Sequence, residues 1–166
     1  WQSHPEALLP TFGATLLNSW QPTEGPKSLP LLAQKAELFQ LAADSPSIVP
    51  QLQKWARFHA AQAHFELAQS QPTNFPAARH VCLDNLRRAA LVEPSVAECR
   101  AYFEMAFALG DFELARSLLG QWERHQPGDR RALRARIRLE SAAGAFGLAL
   151  KGIDQLLAEE PGDVWA

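Results

Sequence analysis

Apolar residues in the second half of the chain recur at a helical interval. Phe112, Ala115, Leu119 and Trp122 stand at i, i+3, i+7 and i+10, and so do Phe146, Ala149, Ile153 and Leu156. That spacing draws one apolar stripe along a helix of about 3.6 residues per turn. Each run is bracketed in the same way. Gly110 or Gly144 stands before it, and a Pro-Gly-Asp follows it at Pro127 or Pro161. Glycine ends the preceding helix because it takes positive φ at little cost, and proline blocks helical continuation behind it. The two stretches, GDFELARSLLGQWERHQPGD and GAFGLALKGIDQLLAEEPGD, start at residues 110 and 144, an offset of 34.

A further helical run precedes each glycine. Ser95-Val96-Ala97-Glu98 has the form of a capping box and predicts a helix to about Leu109. Asp129 is placed to cap a second helix from Arg130 to about Ala143. The unit is therefore helix, tight turn, helix, proline turn. Neither helix buries its stripe alone, so units must stack.

These residues resemble the tetratricopeptide repeat, a helix-turn-helix unit of about 34 residues. Gly110, Phe112, Ala115 and Pro127, and again Gly144, Phe146, Ala149 and Pro161, fit its pattern. The family often carries Trp and Leu early in the first helix. Here Cys99 and Phe103 are the nearest candidates in one repeat, and Leu133 and Ile137 in the next. Pro94 and Pro127 are 33 residues apart rather than 34. The likeness is strongest over residues 96–161. Upstream, NFPAARHVCLDNLRRAALVEP ends like a second helix, with Cys82, Leu86, Ala89 and Pro94 in the pattern's places. Its partner is expected from Ser47 to Ser70, with a Gln-Pro-Thr-Asn loop in place of the glycine turn. The resemblance thus implies an all-α fold, a right-handed superhelical array of antiparallel helix pairs. About three repeats, the first divergent, are expected over residues 46–163. Residues 1–45 are expected to form an irregular helical pair or cap, with helices over Pro5–Trp20 and Pro30–Asp44. QPTEGPKSL reads as the loop between them.

Charge narrows the function classes. The net charge is −2, with four basic and five acidic residues over 1–75 and twelve and thirteen over 76–166. A broadly cationic nucleic-acid binder is excluded, and there is no continuous basic stripe for RNA. The longest uncharged stretch, Ala7–Thr23, contains proline and is too short to span a bilayer, and no signal peptide is present. Cys82 and Cys99 have no metal or redox spacing and read as small core residues. His59 and His64 are five apart, which turns them off a shared helical face. Asp154, Glu159 and Glu160 read as a solvated helix face. No phosphate-binding loop, nucleophile elbow or metalloprotease pattern occurs, so no catalytic residue, metal or cofactor is expected.

The run RRALRARIR, Arg130–Arg138, stands apart. Arg131, Arg134 and Arg138 share one helical face, and like charges four apart cost an isolated helix ~0.2–0.5 kcal/mol. Either acids compensate, on neighbouring helices or at Glu140 four residues after Arg136, or the face serves a ligand. The resemblance implies that first helices line a concave groove. It implies Arg131, Arg134 and Arg138 there, with Glu98, Ala101 and Met105 on the preceding repeat. Arginine forks recognise carboxylates and phosphates. The Lys and Asn set of the family's chaperone-tail clamp is not found in matching places.

The expected function is a non-catalytic interaction or scaffold module holding a peptide or partner helix, with an acidic partner favoured by the arginines. The alternative is a regulatory or substrate-docking arm of a larger enzyme, such as a transferase, or of a membrane-associated assembly. Met105 is the only methionine and does not begin the chain, so the chain reads as a segment or processed product. Asp163 reads as the cap of a further helix starting at Val164-Trp165-Ala166. Leu150 and Leu157 widen the apolar surface of the preceding helix, and self-association through that end is expected.

Overall fold

The computed structural model describes residues 29–70 and 75–159, and all regular structure among them is helical. The expected Pro5–Trp20 helix, the loop after it, the Gln71–Asn74 loop and the start of a helix after Asp163 lie outside the described residues. The helices are α1 (Leu29–Asp44), α2 (Pro50–Ser70), α3 (Phe75–Ala90), α4 (Val96–Ala108), α5 (Phe112–His125), α6 (Arg130–Ala142) and α7 (Phe146–Glu159). The chain divides into two compact units, residues 1–93 and residues 94–166.

In the first unit α2 packs against both α1 and α3. Its buried positions are mostly alanine: Ala56, Ala60, Ala61, Ala63 and Ala68. Small side chains let two neighbouring helices come close. Proline at the first position of α2 costs nothing, because that amide has no helical partner. Polar residues of α2 close the ends of its neighbours. Arg57 donates to the Ala43 carbonyl at 2.8 Å, at the open end of α1, and Lys54 Nζ donates to the Glu93 carbonyl at 3.0 Å. The last carbonyls of a helix lack internal donors, so these bonds satisfy groups that would otherwise go unmet. Asn85, fully buried on α3, donates to Gln40 Oε1 of α1 at 2.7 Å. Cys82, Leu86 and Ala89 are fully buried, as their pattern requires.

The second unit is built from two helical hairpins with the same turn. Gly110 has φ 72° and Gly144 has φ 77°. Asp111 N donates to the Ala106 carbonyl, and Ala145 N donates to the Glu140 carbonyl 34 residues on. This i to i−5 bond across a left-handed glycine closes the last turn of a helix and reverses the chain. The predicted caps are present. Ser95 Oγ accepts from Glu98 N, Glu98 Oε2 accepts from Ser95 N at 2.7 Å, and Asp129 accepts from Arg131 N at 2.9 Å. Asp111 also caps α5, accepting from Leu114 N at 3.0 Å.

Most of the predicted stripe is buried. Ala115, Leu119 and Trp122 are buried in the first hairpin, and Ala149 and Leu156 in the second. Phe146 departs from the expectation and is 66% exposed. Its counterpart Phe112 leans on Phe107, with ring centroids 5.9 Å apart, and the residue 34 places after Phe107 is Ser141. The second aromatic has no ring to meet. Leu148, Leu150 and Leu157 are exposed beside it on α7. A close approach also appears that the stripe did not announce. A Cβ on Gly152 of α7 would lie 2.7 Å from Ile137 Cγ1 of α6.

Ala115→Leu and Ala149→Leu should each lower stability by ~1–3 kcal/mol in urea denaturation, since both positions are enclosed. Unchanged midpoints would show that these sites open to water instead.

Stability should also depend on pH through the first unit. His59 sits among Phe39, Trp55 and Phe58, with ring centroids at 5.0, 4.4 and 5.2 Å. Burial, and then the charge of Lys35, hold its pKa below the ordinary 6.5 against a hydrogen bond with Gln62, and burial alone does the same at His64. The unfolded chain therefore takes up these protons first. The stabilisation is complete above pH 6.5 and is lost as pH falls below it. Thermal midpoints should drop from pH 7 to pH 5, and the drop should shrink in a His59→Gln/His64→Gln variant. Equal slopes for the two proteins would refute the assignment.

Candidate functional site

Four residues of α4 and four of α6 turn toward one concavity of about 470 Å³ in the second unit. From α4 they are Ala97, Arg100, Ala101 and Glu104; from α6 they are Arg131, Arg134, Ala135 and Arg138. Both sets follow i, i+3, i+4, i+7, and each α6 residue lies 34 places after its α4 counterpart. The alanines keep the walls low, and the long side chains stand at the edges. Trp122 of α5 completes the lining.

Trp122 fixes two elements at once. Its ring is buried and packs edge-on to Phe103 at 6.5 Å. Its indole N–H donates to Asp129 Oδ2 at 2.8 Å, while Oδ1 of the same carboxylate accepts from Arg131 N. One aspartate thus caps α6 and anchors the aromatic. Arg100 lies over the Trp122 ring, with its guanidinium carbon 5.5 Å from the centroid. Such a contact favours the cation by ~0.5–1 kcal/mol where solvent reaches it.

The arginines have different settings. Arg138 is gripped by Glu104 at both nitrogens, 2.9 and 3.1 Å, and lies over the Phe107 ring at 4.8 Å. Arg134 is half-buried. Arg131 is exposed, and no carboxylate among the described residues pairs with its side chain. Four arginines and one glutamate give this lining a local excess of positive charge in a chain whose net charge is −2.

Arg131, Arg134, Arg138 and Ala101 of the expected set come together here. Glu98 and Met105 do not line this concavity. Glu98 turns back to close the capping box, and Met105 is buried. The reason is a slip of one residue. Glu98, Ala101 and Met105 lie 33 places before Arg131, Arg134 and Arg138, the interval between Pro94 and Pro127. The hydrogen-bonded turns repeat at 34, which makes the counterparts Ala97, Arg100 and Glu104. The same offset pairs Glu98 with Ala132 and Met105 with Leu139, both of which are buried. Arg100, Glu104 and Trp122 were not anticipated. Shifting the arginine cluster back by the offset of the glycines finds the first two.

The compensation at Glu140 also differs from the simplest expectation. Glu140 pairs with Arg116 of α5 at 3.3 Å, and Arg136 pairs with Glu123 of α5. Those pairs border a second concavity of about 440 Å³, between α5, α6 and α7, where acid and base largely satisfy one another. Among the described residues no cluster of three or more His, Cys, Asp or Glu is arranged to hold a metal ion. No described helix is long and apolar enough to cross a membrane. Cys82 is buried, and burial pushes its thiol pKa up to about 12, so it is not a nucleophile at neutral pH.

No protein-family model matches the chain, and neither a curated protein nor a solved structure matches it.

Trp122→Phe keeps a ring in place and removes the indole N–H. The variant should lose ~1 kcal/mol in chemical denaturation through the bond to Asp129. An unchanged midpoint would mean that water replaces the indole without cost.

Proposed function

We propose that the chain is a non-catalytic protein-interaction module, a tetratricopeptide-like helical-repeat array that takes an acidic peptide segment against α4 and α6. One observation carries this reading: Arg100, Arg131, Arg134 and Arg138 converge on one concavity that holds a single carboxylate, Glu104. A wall of guanidinium groups around a shallow, open trough suits an extended chain bearing several carboxylates. Each fork offers paired N–H donors to a carboxylate, and the excess charge draws an anionic ligand toward the trough. The two-residue glycine turns, the 34-residue offset and the enclosed alanines at 115 and 149 support the repeat assignment. Nothing in the lining resembles an acid–base pair or an activated nucleophile, so recognition rather than catalysis is the role that these side chains fit.

The test is calorimetric titration with a hexaglutamate peptide. Arg131→Ala/Arg134→Ala should weaken binding by roughly tenfold or more, taking ~0.5–1 kcal/mol per exposed charge contact, while shifting the thermal midpoint little. Raising salt should weaken wild-type binding in step. A double variant that binds as the wild type does would refute the groove. One that melts far earlier would make the arginines structural.

A further inference from the structure

The two arms of the proposed groove are not electrically alike. At the position where α6 carries Arg138, α4 carries Glu104, and the two residues, 34 places apart, form a two-point bridge at 2.9 and 3.1 Å. Phe107 supports the face of that guanidinium at 4.8 Å. The bridge lies in the open: the side chains of Arg138 and Glu104 retain 42% and 53% of their exposure. It also lies in the lining that a ligand would touch. Glu104 therefore presents to Arg138 the same group, in the same fork geometry, that an acidic ligand would present.

Resting on the groove reading above, we infer that Glu104 is a built-in competitor that sets the selectivity of the groove for ligands bearing several carboxylates. The chemistry is an exchange of like for like. A ligand carboxylate that displaces Glu104 from Arg138 forms one two-point bridge and breaks another, so a single carboxylate gains almost nothing there. The displaced Glu104 stays in the groove and repels the newcomer. A peptide already held at Arg131 and Arg100 has its next carboxylate tethered beside Arg138 at high effective concentration, and it can win the exchange. Glu104 thus penalises isolated acids and tolerates acidic clusters. Had the pair been buried, breaking it would be prohibitive; at this exposure it costs no more than an ordinary surface ion pair.

The experiment is a double-variant cycle on the full 166-residue chain, titrated with hexaglutamate at low salt, with hexaglutamine as the uncharged control. Glu104→Gln should bind hexaglutamate about fivefold more tightly than the wild type, the gain expected from removing one exposed competing pair. The gain should vanish when Arg138→Gln is also present, so that Glu104→Gln/Arg138→Gln binds as Arg138→Gln does. Glu104→Ala should repeat the gain without an amide left to hold the fork. No gain in either Glu104 variant would overturn the inference, and so would the same gain with and without Arg138, which marks a general loss of repulsion. Absence of binding in both the wild type and the Glu104 variants would overturn it together with the groove. The two readings separate through Arg131→Ala/Arg134→Ala. If that variant loses affinity while the Glu104 variants gain none, the groove stands and the competitor falls.

Discussion

A polypeptide can lay two helices side by side only if it reverses within a residue or two and still satisfies the carbonyls it leaves behind. In the second unit that constraint is met by one device used twice. A glycine in the left-handed region lets the amide after it bond five residues back, from Asp111 to Ala106 and from Ala145 to Glu140. The turn fixes the phase of each pair as well as its antiparallel sense. Because the two turns are 34 residues apart, equal offsets on α4 and α6 share a direction. The arrangement of arginines follows from that phase. Arg100 and Arg134 hold one equivalent position and Glu104 and Arg138 another, and all four border the same trough.

Much of the second unit was legible because its signals are local. A glycine that needs positive φ, a Ser-x-x-Glu box, an aspartate ahead of a helix and an apolar stripe at 3.6 periodicity each constrain only a few neighbouring residues. Helix limits from Val96 to Glu159 follow from them almost residue by residue. Features that depend on another helix were not legible in the same way. The exposure of Phe146 is decided by Ser141, which stands where the other hairpin has an aromatic. The pairing of Arg136 with Glu123 rather than with Glu140 is decided by how α5 lies against α6. The groove face of α4 was displaced by one residue, because a proline spacing of 33 was taken as the measure of a repeat whose turns recur at 34. One residue is 100° of helix, enough to exchange a groove position for a buried one, as Met105 shows.

The first unit shows a different economy. Its central helix is lined with alanine and offers little apolar volume per residue, yet it carries the polar side chains that close neighbouring chain ends: Arg57 at Ala43 and Lys54 at Glu93. A buried lysine stem packs as hydrocarbon while its ammonium meets a carbonyl. No periodicity rule anticipates such contacts, since the donor and its acceptor can be far apart in sequence, 39 residues in the case of Lys54.

The missing side chain at Gly152 bears on how far the two hairpins are interchangeable. They share a turn but divide their interior volume differently. The residue 34 places before Gly152 is Leu118, fully buried, while Gly152 leaves no room for even one carbon beside Ile137. A helix like α7 set against α4 would leave the space of a leucine empty, and a helix like α5 set against α6 would collide with it. Near-identical repeats in one chain carry the hazard of pairing with the wrong neighbour during folding. Here the turns make the hairpins alike enough to stack, and one absent methyl group keeps them from being mistaken for each other.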